Sequence, residues 1–377
     1  MGVKTRVSGR GGSVLAGRQF RASVRALPVA SARSLPLLLL PFLLMSFGHF
    51  SPASAQQAGV STLPVLDVSP FARTAGLGLD YLPLYADDPV VGLDNPSLLH
   101  EGMAGCGVVS LVPMFDGSHM GAVGYVHHSE RLGTLSFGLR YANYGTFQLR
   151  DEEDMPQGRF TAGDYALTVG WGMWVDSNFS VGASFSPILS QYESYTAVAV
   201  AFDVAGSYVN DARTLAATVM MRNVGAQIVT FDRTSERLSF ELSAELSYKL
   251  KRAPFRLYLA AIELQRWNLR YEDPLSPTVH TDPFTGEVTR QNRFVGLVDN
   301  LLRHAQVGVE LTLGRSLFAR VGYSYRQSAE MRGFDVLNLS GFSFGLGVRT
   351  RRFEFAFARH NYHVTQAPNY FTISYRF

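Results

Sequence analysis

The chain has 377 residues, of which 46% are apolar and 12% aromatic, with one cysteine and a formal net charge of +3. A single cysteine excludes an internal disulfide framework, and so large an apolar fraction argues against a disordered chain. After residue 55 no apolar run approaches the ~18 residues of a membrane-spanning helix, so the apolar residues must follow another period.

The first 55 residues are a basic leader without any acidic residue. They contain seven Lys or Arg residues, then the apolar run LPLLLLPFLLMSF, then Ala-Ser-Ala at 53–55. This order is typical of a secretory signal peptide, and we predict one over residues 1–55; a tethering helix is the alternative. Removing it leaves 27 basic and 31 acidic residues, a net charge near −4, which removes the simplest argument for nucleic-acid binding.

Residues 56–105 precede the first predicted strand and carry two short helix signals. Ser69-Pro70 introduces FARTAG, and Asn95-Pro96 introduces SLLHEG, so each pairs a capping residue with an early proline. The apolar stretch GLGLDYLPLY between them argues against a disordered leader, which is the alternative. We predict an N-terminal periplasmic, hatch-like segment.

Segments with a period of two fill the rest of the chain, as in LSFELSAELSYKL, where Leu and aromatic residues alternate with Ser, Glu and Lys. Many have about ten residues, the length of a tilted membrane strand, whereas soluble strands average about five to six. The predicted strands are 106–115, 120–128, 132–143, 160–175, 178–188, 194–208, 213–223, 237–250, 255–265, 304–313, 317–327, 340–349, 352–360 and 368–377.

Short and long connections alternate between these strands. Turns such as 129–131 and 350–351 interleave with longer loops such as 144–159 and 266–303. Outer-membrane barrels have short periplasmic turns and long surface loops, whereas a β-sandwich, the main alternative, does not segregate its loops in this way. We predict an all-β fold: a single-chain transmembrane antiparallel β-barrel of about 14 strands over 106–377, in the outer membrane of a Gram-negative bacterium and in contact with its lipid.

The polar face of the strands places charges in the predicted lumen. Glu241, Glu245, Arg320, Arg326 and Glu354 occupy these positions, and we expect them to form a charge network. Such a network either tunes permeation or fills a blocked lumen, and the sequence leaves both possibilities open.

The connection over residues 266–303 is the candidate interaction loop. Its 38 residues exceed the usual loop length, and Trp267, Tyr271, Phe284 and Phe294 supply apolar anchors. We expect it to face the cell exterior and to dock a partner protein; a lid over the pore is the alternative.

Catalytic and metal-binding patterns are weak. GFSFG matches a nucleophile-elbow pattern, but Ser343 lies inside an alternating strand instead of a strand–turn–helix junction. His127 and His128 are adjacent in a strand and therefore face opposite ways. We predict that the protein is not an enzyme and has no cofactor or metal.

The terminal strand, which ends at Phe377, resembles the sorting signal that the outer-membrane assembly machinery reads in barrel proteins, and this resemblance implies that machinery as a partner. More of the chain, from about Asp67 to Phe377, resembles the PorQ family of outer-membrane barrels from the type IX secretion system of Bacteroidetes. The stretches that carry this similarity include SPFARTAGLG, LDNPSLL, KLKRAPFRLYLAAIELQRWNL, LLRHAQVGVEL and RRFEFAFARHNYHVTQAPNYFTISYRF.

The same family is similar to PorV and to the FadL channels. Asn95, Pro96 and Ser97 resemble the Asn-Pro-Ala of the hatch in that superfamily, with Ser97 in place of Ala. The resemblance implies a barrel that holds a PorZ-like surface protein in an attachment complex with PorU and PorV homologues. Its alternative implication is a FadL-like channel for hydrophobic small molecules.

The two implied functions require different features. A channel needs an apolar surface near the hatch and a gap or kink in the wall, for which the glycine-rich stretches GWG and GFSFGLG are candidates. An anchor needs an exposed apolar loop and tolerates a blocked lumen.

Overall fold

The computed structural model describes residues 63–231, 237–270, 279–281, 288–290, 293–314, 316–331, 339–362 and 367–377. No helix in these ranges is long and apolar enough to span a membrane. The strands are β1 Cys106–Pro113, β2 His119–Ser129, β3 Gly133–Arg150, β4 Pro156–Trp174, β5 Phe179–Tyr192, β6 Tyr195–Val209, β7 Leu215–Val229, β8 Glu241–Lys249, β9 Phe255–Ala261, β10 Val279–Thr281, β11 Val288–Arg290, β12 Ala305–Leu313, β13 Leu317–Ser324, β14 Phe342–Arg349, β15 Phe353–His360 and β16 Asn369–Arg376. The helices are α1 Ala72–Leu77, α2 Pro89–Asp94, α3 Arg293–Arg303 and α4 Tyr325–Glu330.

Fourteen of these strands, β1–β9 and β12–β16, close into one antiparallel barrel, which confirms the predicted fold class. At the closing seam β1 pairs with β16, so that Cys106 lies opposite Arg376 and Leu111 opposite Phe371. β10 and β11 form a separate hairpin within the connection between β9 and β12. Closure gives each barrel strand a partner strand on both sides and leaves no exposed sheet edge.

The barrel wall is taller on one side than on the other. β3 to β7 have 14 to 19 residues, whereas β8, β9 and β12 to β16 have 7 to 9. β3 and β4 continue through much of the predicted loop 144–159, where Phe147 stacks on Phe160 with ring centroids 5.4 Å apart. The extra length extends the wall at the end of the barrel that carries the long loops.

The outer face of the barrel is an apolar belt. Along most strands, exposed Leu, Val and Phe side chains alternate with buried residues that are mostly Ser, Thr, Ala or Gly, as in β5 and β6. Aromatic rings meet across neighbouring strands on this belt: Phe185 lies 4.9 Å from Phe202, and Phe357 lies 5.4 Å from Phe371, between ring centroids.

Residues 63–105, here called the plug, fold inside the barrel. Besides α1 and α2 they form three 3-10 turns, at Pro64–Leu66, Pro96–Leu98 and Glu101–Met103. The last two replace the helix that the sequence predicts after Asn95. The first predicted helix ends later than expected, because Gly78, with a φ of 64°, forms its left-handed C-cap.

α2 is an element that the sequence analysis missed. Asp88 is its N-cap and accepts a hydrogen bond from the backbone N–H of Val90 at 3.1 Å. Pro89 occupies the first helical position, where its missing N–H costs nothing. The acidic turn at Asp87-Asp88-Pro89 was therefore a readable helix start.

Candidate functional site

The plug approaches the inner wall closely where the wall carries glycine. A Cβ atom at Gly182 of β5 would overlap the carbonyl carbon of Pro96 and the backbone nitrogen of Ser97. A Cβ atom at Gly322 of β13 would likewise overlap the carbonyl group of Leu77. These wall glycines therefore provide the space that the plug backbone fills.

The predicted hatch motif connects the plug to the wall through hydroxyl groups. Asn95 Nδ2 donates to Thr218 Oγ1 at 3.1 Å, and Asn95 Oδ1 accepts from the Ser97 hydroxyl at 2.7 Å. The Ser97 hydroxyl also lies 2.6 Å from that of Ser207, which in turn lies 2.6 Å from Thr218 Oγ1. All four side chains are buried. Ser97 thus makes a contact with β6 that alanine at this position would lack.

A chain of buried ion pairs joins the plug to the other side of the wall. Arg73 Nη1 lies 2.6 Å from Asp88 Oδ2, and Arg73 Nη2 lies 3.1 Å from Glu310 Oε1. Arg320 Nε lies 2.7 Å from Glu310 Oε2, and Arg320 Nη2 lies 3.6 Å from Glu354 Oε1. All five side chains are buried. Glu310 was missed, although the alternation in VGVELTL places it on the polar face opposite Arg320.

The other charges that the sequence placed in the lumen lie elsewhere. Glu241 Oε2 lies 3.7 Å from Arg222 Nη1. Glu245 is buried on the inner face of β8. Arg326 lies on α4, beyond the end of β13, where it pairs with Glu263 at 3.3 Å and Glu330 at 2.9 Å. Of the five residues, the structure brings Arg320 and Glu354 into contact.

An apolar surface lines the inner wall between β3 and β6. Small side chains cover most of it, and the first turn of the plug packs against it. Its wall residues are Ala142, Ala166, Ile188, Ala199 and Ala201, and its plug residues are Leu63, Val65 and Leu66. We refer to this set as the inner apolar surface.

The β4–β5 ladder is interrupted beside the inner apolar surface. The two strands keep one register, but Leu167 and Thr168 form no bridge with Ser186 and Pro187. Pro187 has no N–H to donate to a ladder. In place of backbone bonds, Thr168 Oγ1 lies 2.8 Å from Ser186 Oγ.

The interruption lies away from the glycine-rich stretches that the sequence analysis considered. Gly170 and Gly172 of GWG pair regularly on both sides, and Ser343–Gly347 do so as well. Proline rather than glycine is thus associated with the break.

At the long-loop end, α3 turns its polar side toward the protein. Asn300 is buried and donates through Nδ2 to the carbonyl oxygen of Trp267. Asp299 accepts hydrogen bonds from the Tyr325 hydroxyl at 2.7 Å and from Arg303 Nε at 2.9 Å. These contacts hold the helix to the 262–270 segment and to α4.

The opposite side of α3 is apolar and exposed. Phe294 is 71% exposed, and the neighbouring aliphatic side chains are between 37% and 50% exposed. These aliphatic residues are Val295, Leu297, Val298, Leu301 and Leu302. α3 therefore exposes its apolar side and turns its polar side toward the protein. A surface helix of a soluble protein does the reverse.

Two of the four predicted docking residues can be placed. Trp267 is 68% exposed, and Phe294 belongs to the exposed side of α3. Tyr271 and Phe284 lie outside the described residues.

Asp299 carries the electrostatics of this region. Partial burial acts to raise the pKa of its carboxyl group, but the hydrogen bonds from Tyr325 and Arg303 and the charges of Arg303 and Arg270 outweigh it. The pKa of Asp299 is therefore below its ordinary value.

A cleft of about 930 Å³ opens at the short-turn end, between the plug and the turns of the wall. Tyr85 stacks on His100 with ring centroids 4.1 Å apart, and the Arg213 guanidinium lies 4.0 Å from the centre of the same Tyr85 ring. Because its faces are occupied, this ring offers no free platform for a stacked ligand. No group of three or more His, Cys, Asp or Glu side chains in the described ranges is placed to hold a metal ion.

Comparison with known proteins shows a likeness of fold. No protein-family model and no curated protein matches the chain. Among solved structures, the toluene transporter TodX of Pseudomonas putida is 11% identical, with 83% of this chain and 99% of that chain covered and a TM-score of 0.48. A FadL homologue of Pseudomonas aeruginosa is 9% identical, with 83% and 100% covered and a TM-score of 0.45. The KdgM porin is 8% identical, with 72% of this chain and 99% of that chain covered and a TM-score of 0.34. The chain shares with these proteins the closed antiparallel barrel of outer-membrane proteins.

Proposed function

We propose that the protein is an outer-membrane barrel that acts as a FadL-like channel for hydrophobic small molecules. The observation that carries this proposal is the inner apolar surface, which lies directly beside the interruption of the β4–β5 ladder.

The apolar belt supports the membrane placement. The shortest barrel strands have 7 to 9 residues. At about 3.4 Å per residue and a tilt of about 40°, nine residues rise about 23 Å, close to the ~25 Å apolar band of outer-membrane barrels. Because short turns face the periplasm in such barrels, we assign the short-turn end to the periplasm and the tall part of the wall to the exterior.

A hydrophobic solute would have no favourable path along the barrel axis. The plug lies inside the barrel and the ion pairs of Arg73, Glu310 and Arg320 are buried there, and an apolar molecule gains nothing from displacing paired charges. Across the wall the path is different. Ile188 faces the lumen beside the interruption, while Leu167, which is 51% exposed, faces the belt. The proposed route therefore runs sideways, from the inner apolar surface to the lipid.

A disulfide across the interruption tests this route. In the Thr168→Cys/Ser186→Cys variant, the new thiols replace hydroxyl groups that lie 2.8 Å apart, a separation that suits cross-linking after small adjustments. We expect oxidation to lower uptake of radiolabelled toluene by intact cells several-fold and reduction to restore it. Toluene is chosen because TodX is named as its transporter.

The matched control places a disulfide between β8 and β9, far from the interruption. Ala244 and Ala261 are register partners there, and the Ala244→Cys/Ala261→Cys variant should take up toluene equally well in both redox states. The proposed channel is contradicted if oxidation of the Thr168→Cys/Ser186→Cys variant leaves toluene uptake unchanged. It is also contradicted if cells that lack the protein take up toluene equally well.

A second candidate function is favoured by the exposed apolar residues of the long loop. Trp267 is 68% exposed, lies outside α3 and stands at the exterior end of the barrel. These features suit a surface anchor of a Bacteroidetes-type type IX secretion system, which would hold a PorZ-like protein together with PorU and PorV homologues.

Deletion of residues 270–300 distinguishes the two candidates. Loss of the PorZ-like protein from the cell surface into the medium, with unchanged toluene uptake, supports the anchor. Retention of the surface protein together with reduced uptake in the disulfide experiment supports the channel. Deletion of residues 152–153, at the exposed tip of the β3–β4 hairpin, is the control for a shortened surface loop.

A further inference from the structure

We infer that the apolar side of α3 lies in the outer leaflet of the membrane, as an interfacial helix, and not against a partner protein. This inference rests on the outer-membrane placement proposed above. Three observations lead to it: the orientation of the helix, its level relative to the apolar belt, and the composition of its exposed side.

The orientation of α3 is fixed by its inward contacts. At 100° per residue, Phe294, Leu297 and Leu301 fall on one side of the helix, and Asp299 and Asn300 fall on the other. Since the second side is held by hydrogen bonds to Trp267, Leu269 and Tyr325, all outside the helix, α3 cannot turn its apolar side inward without breaking them. Leu297 and Leu301 are 48% and 46% exposed on this side, and apolar side chains left in water carry a free-energy cost that lipid or protein contact would remove.

The level of α3 matches the edge of the apolar belt. One residue, His304, separates the end of α3 from the start of β12. The first outward residues of β12, Val307 and Val309, already belong to the belt and are 44% and 37% exposed. Arg303, His304 and Gln306 lie between Leu302 and Val307, but His304 and Gln306 are buried and Arg303 pairs with Asp299. No exposed polar side chain therefore separates the apolar side of α3 from the belt, and the helix meets the membrane where the belt ends.

The wall around α3 is low. Its neighbours β9, β12 and β13 have 7 to 9 residues, which rise about 18 to 23 Å at a tilt of about 40° and so do not exceed the ~25 Å apolar band, whereas β3 to β7 have 14 to 19 residues. Among the residues that the structure describes, no extended strand pair lifts α3 away from the lipid, as the β3–β4 hairpin does for its own tip.

The composition of the exposed side suits lipid better than protein. It consists of one Phe, two Val and three Leu residues, with none of the Tyr, Trp or Arg side chains that dominate the binding energy of protein interfaces. Interfacial helices present Leu and Phe to the boundary between headgroups and acyl chains in this way. Trp267, outside the helix, stays available to a partner.

Spin labels on the full-length chain test the inference. Leu297→Cys and Leu301→Cys variants are labelled and reconstituted in vesicles of phosphatidylethanolamine and lipopolysaccharide. The relaxation rate of each label is then measured in the presence of oxygen, which concentrates in lipid, and in the presence of a polar nickel chelate, which stays in water. The native Cys106 is buried, and the unsubstituted chain gives its background labelling.

Two control positions calibrate the measurement. Val309→Cys reports the apolar belt, and Asp154→Cys, at the exposed tip of the β3–β4 hairpin, reports water. We expect labels at 297 and 301 to resemble the label at 309, with an oxygen-to-nickel ratio several times that at 154.

Three other outcomes overturn the inference. If 297 and 301 resemble 154 while 309 remains in lipid, the helix lies in water, and the outer-membrane placement survives. If both reagents are excluded from 297 and 301 only in native cell envelopes, a protein covers the helix. If 309 also resembles 154, the outer-membrane placement itself is wrong. Quenching of a Leu301→Trp variant by acyl-brominated lipid gives the same distinction without labelling.

Discussion

Arg73 of the plug and Glu310 of the barrel wall form a buried ion pair, with Arg73 Nη2 3.1 Å from Glu310 Oε1. The same guanidinium also holds Asp88 of α2, so that one cation serves a carboxylate on the plug and another on the wall. The plug is therefore fixed to β12 by charge as well as by packing.

The Arg73→Ala variant should loosen the plug. It leaves Asp88 and Glu310 without the cation between them, and breaking a buried pair in this way costs about 3–5 kcal/mol. In planar lipid bilayers we expect the unsubstituted barrel to be closed to ions and the Arg73→Ala variant to show discrete conductance steps. The control is Arg150→Ala, which removes an exposed pair with Asp154. Equal conductance for both variants would show that Arg73 does not hold the plug.

The Gly182→Val variant should weaken the plug at its other contact with the wall. The new side chain overlaps the backbone of Pro96 and Ser97, and overpacking of this kind costs about 1–3 kcal/mol. Gly206→Val is the matched control, because a Cβ atom there meets nothing within 4 Å. Urea unfolding of the reconstituted barrel should separate the two, and equal midpoints would contradict the close approach seen at Gly182.

Acidification should weaken the contacts that hold α3 to the 262–270 segment and to α4. Because the folded-state pKa of Asp299 is below its ordinary value of about 3.9, its ionised form stabilises the folded loop. This contribution is fully present above the ordinary pKa and is lost as the pH falls through the lower folded-state pKa. Amide exchange within α3 should accelerate over that range. Asp299→Asn should exchange faster at neutral pH and lose the acid dependence; an unchanged acid dependence would assign it to another group.

Removal of Phe377 should impair assembly into the membrane. Its backbone N–H donates to the carbonyl oxygen of Gly105 at 2.9 Å, while its side chain is 80% exposed. The deletion therefore removes little packing, and we expect the purified barrel to refold in detergent. In cells we expect several-fold less folded barrel, measured by heat-modifiable migration on gels. Phe377→Tyr should assemble normally. Normal assembly of the deletion variant would exclude the terminal residue as a sorting signal.

The barrel was predictable because a period of two reports directly which side chains share a face. In LSFELSAELSYKL the pattern identified β8 and its inward Ser243, Glu245 and Ser247 without any tertiary information. The height of the wall was less predictable, since β3 and β4 extend beyond the residues that alternate cleanly. Pro187 was a readable signal, because a proline inside a predicted strand marks a missing ladder bond.

The contacts of the plug could not be predicted in the same way. Arg73 lies on a six-residue helix and Glu310 on a strand 237 residues away, and no local period connects them. The motif at Asn95–Ser97 was recognisable, but its wall partners, Thr218 for Asn95 and Ser207 for Ser97, are ordinary inward hydroxyl residues among many. Such partners are selected by the way the plug sits in the lumen, which sequence periodicity does not contain.

The seam between β1 and β16 determines the order in which the molecule can be completed. Ser110 of β1 donates to the carbonyl oxygen of Pro70 at 2.6 Å, and Thr372 of β16 accepts from the backbone N–H of Ala72 at 2.8 Å. The plug is thus bonded to both of the strands that close the ring. A barrel that closed without the plug would have to break the hydrogen bonds between β1 and β16 again before the plug could reach this position. We therefore expect the N-terminal plug to reach its final contacts only when the last strand pairs, so that enclosure of the plug and completion of the wall become one late, long-range step of folding.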